Sequence, residues 1–110
     1  MDGLFVIPDT LFSSYPERLV AAATRHAMPT MFFDRGSVVA GGLISYSGDT
    51  RDSNHQLGVY VGRVLKGEKP SDLPVVQPSK FDLAINLNAA RALGITVPDS
   101  VLVQANEVIE

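Results

Sequence analysis

The chain has no cysteine among its 110 residues. Disulfides, thiolate nucleophiles and cysteine-ligated zinc are therefore excluded, although the compartment is not fixed, since many exported proteins also lack cysteine. Basic charge is scarce as well: 9 Lys and Arg stand against 12 Asp and Glu, for a net charge of −3. Without a basic patch there is nothing to match a phosphate backbone, so nucleic acid is not expected as a partner. No apolar run approaches the ~20 residues of a membrane span. The opening MDGLFVIPD places an acid ahead of its apolar run, where a secretory leader needs a basic start, a longer apolar centre and a small-residue cleavage site. The sequence as it stands thus reads as carrying no export signal. Repeats and low-complexity tracts are also lacking.

Several chemical signatures are missing too. His26 and His55 lack the spacing of a metal-binding helical pair, so no metal site is expected. His26 reads as a histidine near a helix C-terminus and His55 as a solvated residue in the first turn of a helix. None of Ser37, Ser45, Ser47 and Ser53 sits in a G-x-S-x-G elbow. Gly41-Gly42 precedes a strand instead of following one, which removes the context of a phosphate-binding loop. No nucleophile–base pair and no carboxylates spaced for acid–base work can be found. The expectation is a protein that is not an enzyme and needs no cofactor.

What is present is the pattern of a folded domain: hydrophobic residues make up 45% of the chain and charged ones 19%, enough apolar content for a modest core. Leu4-Phe5-Val6-Ile7 is a continuous apolar run closed by Pro8-Asp9, as in a strand buried on both faces. Ser14-x-x-Glu17 with Pro16 fits a capping box, opening a helix that Pro29 ends. Thr30 to Phe33 and Leu43 to Tyr46 read as further strands. Leu57, Tyr60, Val61, Val64 and Leu65 form one apolar helical stripe, with Asp52 or Ser53 as the cap and Gly67 as the stop. A loop follows, with a two-residue strand at Val75-Val76. Phe81, Leu83 and Ile85 alternate with wetter residues as a strand. Asn86 caps a short helix, and a last amphipathic helix rests on Val101, Leu102, Ala105 and Val108. Phe5, Phe32 and Tyr60 read as core. This order predicts an α/β fold, a mainly parallel sheet flanked by helices.

In open α/β sheets ligands bind beyond the carboxyl ends of strands. There the chain places Asp9, Asp34, Ser45 and Tyr46. Two carboxylates and a phenol converging at such an edge could hold an ammonium group and an aromatic or apolar body. The alternative for Asp9 and Asp34 is a turn or cap role, which Asp favours in any loop. Arg35 could pair with a ligand carboxylate or be an ordinary exposed loop residue. Phe12 and Tyr15 could line a pocket mouth or pack at the helix entry.

The stretches DGLFVIPD, RHAMPTMFFD, VAGGLISYSGD and VGRVLKGEKPSDLPVVQPSKFDLAINLNAARALGI, in this order, resemble the C-terminal half of ABC transporter substrate-binding proteins of the tryptophan/tyrosine type. The resemblance implies a two-lobe architecture of the type I periplasmic-binding-protein kind, with a cleft that a hinge closes. It further implies that residues 1–34 belong to the second lobe, 35–74 to the first, and 75–110 to a return strand and C-terminal helices. Asp9, Asp34, Ser45 and Tyr46 would face the cleft. The implied function is uptake of an amino acid or similar small organic solute, with an ABC permease as partner and a periplasmic or lipid-anchored location. Because much of such a protein is not in this sequence, strand edges and apolar faces would be left open, and a homodimer or higher oligomer is expected. A free-standing α/β sensor or oligomerisation module is the rival reading. A hydrolase or isomerase would have only Asp9, Asp34 and Ser45 to use, and no base.

Overall fold

The computed structural model describes residues 2–110. Five strands form one sheet in the order β1-β2-β3-β4-β5: β1 Leu4–Phe5, β2 Thr30–Phe32, β3 Ile44–Gly48, β4 Phe81–Asn86 and β5 Glu107–Ile109. β1, β2 and β3 are parallel, with Leu4 opposite Thr30, Met31 opposite Ile44 and Phe32 opposite Ser45. β5 is parallel to β4, with Ala84 opposite Glu107. Between β3 and β4 the direction reverses, since the amide of Asn86 donates to Leu43 and that of Asp49 to Lys80. The sheet is therefore mostly parallel, as the run of apolar strands and intervening helices predicts.

The helices are α1 Thr10–Ser14, α2 Pro16–Arg25, α3 Arg35–Val39, α4 Thr50–Leu65, α5 Leu87–Ala92 and α6 Asp99–Leu102. The chain divides into two compact units, one formed by the residues up to Ser47 together with Asp82–Glu110, the other by Gly48–Phe81. Phe32 and Ser45 of the first unit are paired in adjacent strands.

In the first unit one sheet face is covered and the other largely open. Val6, Thr30, Phe32, Ser45, Ala84 and Asn86 are buried, whereas the alternate positions Phe5, Ile7, Tyr46 and Val108 are exposed; Ile85 alone of that second set is fully buried. Phe32 joins Val6 and Val20 of α2 in the core, with Phe12, Leu19 and Phe33 packed against them. Phe5 is thus not a core residue: 60% of it is exposed. It alternates with Val6 and so lies on the other face of the sheet.

Four helices of the chain end in the same way. In α3 the amide of Gly41 donates to Val38 and that of Gly42 to Ser37, the pair of bonds that makes a Schellman stop. Gly41 has φ +113, open to glycine at no steric cost. α4 and α5 stop likewise at Gly67 and Gly94, and α2 at Ala27, whose φ is +49. The glycine pair therefore terminates a helix and admits β3.

Elsewhere local chemistry differs from the expected pattern. The Ser14–Glu17 capping box does not form, because Asp9 caps α1 first and the Ser14 hydroxyl donates back to Thr10. α2 then starts at Pro16 with no side-chain cap. α4 begins one turn earlier than expected, since Asp49 accepts from the amides of Arg51 and Asp52; His55 consequently lies further inside the helix. The last helix is only α6, and Val108 belongs to β5. Asn106 drives that change: its amide donates to the Leu83 carbonyl and its side chain accepts from the Leu83 amide, which attaches the segment to β4.

In the second unit α4 buries no residue completely. Leu57, Val61 and Leu65 of its expected stripe are exposed. Tyr60, the partly buried member, donates its hydroxyl to the Pro74 carbonyl at 2.5 Å. This contact, with a 3-10 turn at Pro70–Asp72, brings the following loop against α4. Val75 is 97% exposed and not in a strand. No helix among the described residues is long and apolar enough to cross a membrane.

Candidate functional site

β1, β2 and β3 run parallel, and the chain leaves β1 towards Asp9 and β2 towards Asp34 and Arg35. The residues after the three strands therefore line one edge of the sheet. Because β4 is antiparallel to β3, its first residues, Asp82 among them, start from that same edge.

Asp9 and Asp34 both cap helices. One oxygen of Asp9 accepts from the Leu11 amide at 2.8 Å, and the residue is exposed. Asp34 is more committed: Oδ1 accepts from the Ser37 amide at 2.9 Å and Oδ2 from the Ser37 hydroxyl at 2.7 Å. Tyr46 is half exposed on the open face of β3. Ser45 points the other way and is 2% exposed. The structure thus brings Asp9, Asp34 and Tyr46 to the open edge, with Ser45 inside the covered face.

Arg35, the residue after Asp34, makes a bidentate ion pair with Glu107 of β5, through Nε to Oε2 and through Nη2 to Oε1 at 2.8 Å. The hydrogen bond from Arg35, with its charge, lowers the Glu107 carboxyl below its ordinary range. The bond to Glu107 and the charges of Glu107 and Asp82 raise the Arg35 guanidinium. Of the sequence signals, only the isolated Arg35 points to this arrangement. Glu107 was hidden because its segment reads as helix.

Another concavity of the first unit, about 590 Å³, lies among Val20, Met28, Phe32, Leu43 and Leu93. Thr30 and Leu43 place it near the amino ends of β2 and β3, away from the charged edge. It is an apolar groove between α2 and α5.

Comparison with known proteins decides the family. The model of the ABC transporter substrate binding protein family matches residues 1–109. The chain belongs to this family. The substrate-binding fold is also present in solved structures. The ABC domain in complex with L-Trp from Streptococcus pneumonia is 36% identical with a TM-score of 0.84, covering 99% of this chain and 38% of that one. A conserved domain protein from Vibrio cholerae is 30% identical with a TM-score of 0.87, covering 97% and 36%. A ligand-free, open substrate binding protein with adhesive properties from Clostridium difficile is 26% identical with a TM-score of 0.67, covering 99% and 36%. The chain therefore spans little more than a third of these solved relatives. No curated protein matches it significantly.

Proposed function

We propose that this substrate-binding chain contributes part of an inter-lobe cleft that captures an amino acid or similar small organic solute for an ABC permease. The observation that carries the reading is the membership of a substrate-binding family in a chain 36% identical to a protein solved with L-Trp, with Asp9 and Asp34 following parallel strands at their carboxyl ends. Asp9 is the better of the two aspartates for a solute ammonium, because both Asp34 oxygens are engaged by Ser37. Tyr46 offers a ring and hydroxyl to the solute body, while Ser45 supports the edge from within. The work is binding linked to lobe closure, without catalysis. We assign the unit containing Asp9 and Arg35 to one lobe and Gly48–Phe81 to the other, since β3 and β4 are the strands by which the chain leaves and rejoins the sheet. The location would be periplasmic or lipid-anchored, as the family resemblance implies.

Isothermal titration of the complete native polypeptide with the standard amino acids tests the reading. Saturable binding that Asp9→Ala weakens supports it, and absence of binding to any of them refutes it. For the chain by itself, we propose that a second copy covers the β1 edge and the open face at Leu4, Phe5, Ile7 and Val108, because parallel sheets are normally covered on both faces. Sedimentation of this chain as a monomer at micromolar concentration would contradict that assembly.

A further inference from the structure

We infer that α2 is a self-recognition surface: a second copy of the chain lays its own α2, antiparallel, in the apolar groove between α2 and α5, about a two-fold axis at Ala21. This contact is independent of the solute-binding reading. It also lies on the covered face of the sheet, with Thr30 and Phe32, opposite the open face at Phe5 and Ile7.

The pattern of α2 comes first. Glu17, Ala21 and Arg25 are four residues apart, so they follow one another along one face of the helix. All three are exposed and line the groove. A rise of 1.5 Å per residue puts the two charges about 12 Å apart along the axis, with Ala21 midway. Antiparallel pairing about that midpoint sets Glu17 against Arg25 of the second copy, and Arg25 against Glu17 of the second copy. Such self-complementarity is what an isologous interface requires. Both charges are available for it. Neither Glu17 nor Arg25 has an ion pair among the described residues, whereas Asp52 and Arg63 of α4 are met by Lys80 and Glu68.

The groove comes second. Its volume is about 590 Å³, and its walls carry small side chains, Ala21 on α2 and Ala89 and Ala92 on α5. Small walls let helix axes approach to about 8 Å. The buried Thr30 hydroxyl that lines it already donates to the Met28 carbonyl at 2.9 Å. No buried side-chain nitrogen or oxygen among the described residues lacks a partner, so the groove holds no polar group waiting for a small solute. Among the described residues that line it, only Glu17 and Arg25 are charged. They stand at the two ends of α2, where an antiparallel helix of the same sequence brings the opposite charges.

Sedimentation equilibrium of this chain with charge reversals tests the contact. The wild type is expected to self-associate at micromolar concentration. Glu17→Arg or Arg25→Glu turns both reciprocal pairs into like charges, and each should raise the dissociation constant of this contact about tenfold or more. An equimolar mixture of the two variants should associate nearly as tightly as the wild type, because each variant meets the opposite charge on the other. Repair of folding cannot explain that rescue, since each chain keeps its own substitution. In this cysteine-free chain, Ala21→Cys should form a disulfide across the axis under mild oxidation, far faster than Val103→Cys at an exposed site elsewhere. Single variants that associate as tightly as the wild type, or a mixture no tighter than its components, would overturn the α2 contact and leave the β1-face assembly standing. A wild type that stays monomeric would remove both.

Discussion

Gly42→Ala should be one of the most damaging small substitutions in the chain. A Cβ at Gly42 would lie 2.6 and 2.9 Å from the Phe32 ring and 2.8 Å from the Ser37 carbonyl oxygen. Neither neighbour can yield easily. Phe32 is 1% exposed in the core with Val6 and Val20, and the Ser37 carbonyl already accepts the Gly42 amide at 2.9 Å. Overpacking of a closed core costs about 1–3 kcal/mol, and two rigid contacts place this site near the top of that range, at ~3 kcal/mol. Gly41→Ala differs in mechanism: its Cβ meets nothing closer than 3.6 Å, and the strain is that of φ +113, on the order of 1–2 kcal/mol. Chemical denaturation followed by circular dichroism separates them. Phe32→Leu, which removes the ring edge, should partly offset Gly42→Ala, with a coupling of about 1 kcal/mol, and should not offset Gly41→Ala. A Gly42→Ala protein within about 0.5 kcal/mol of wild type, or zero coupling to Phe32, would refute the close-packing argument.

Ala27→Gly should raise stability by roughly 1 kcal/mol in the same assay, because Ala27 ends α2 with φ +49. Asn86→Ala should lower it by about 1–3 kcal/mol, since this buried side chain both caps α5 and donates to the Val38 carbonyl at 3.2 Å. Acid titration should reveal the Glu107 contact. Its carboxyl is lowered from 4.5 in the folded chain, so its stabilisation is present above that value and is lost as pH falls through the lower folded one. Glu107→Gln should flatten that part of the pH–stability curve, and an unchanged acid limb would count against the ion pair.

β1, β2 and β3 were legible because each starts as a short apolar run that gives way to polar residues, Pro8-Asp9, Asp34 and Ser45 to Asp49, and the edge residues followed from those closures. Helix starts were harder to read. Ser14 and Glu17 have the spacing of a capping box, but Asp9 claims the chain one helix earlier. The α4 stripe has clear helical period, yet its members remain largely exposed, because periodicity shows which side chains share a face and not what covers it. β5 was hidden by a pattern compatible with a helix, and only the long-range bonds of Asn106 to Leu83 distinguish the two. Asp34 was visible as a strand-end carboxylate, whereas its capture by Ser37 depends on the turn geometry of α3.

The most direct test of solute binding uses the absence of tryptophan from this chain. Indole emission in a mixture with L-tryptophan then comes from the solute alone. As the chain is titrated in, the account predicts a saturable rise in fluorescence anisotropy, with half-saturation near 1 mM or tighter, about 4 kcal/mol of binding, and its loss in Asp9→Ala. A flat anisotropy, or an equal rise with Asp9→Ala, would contradict the account.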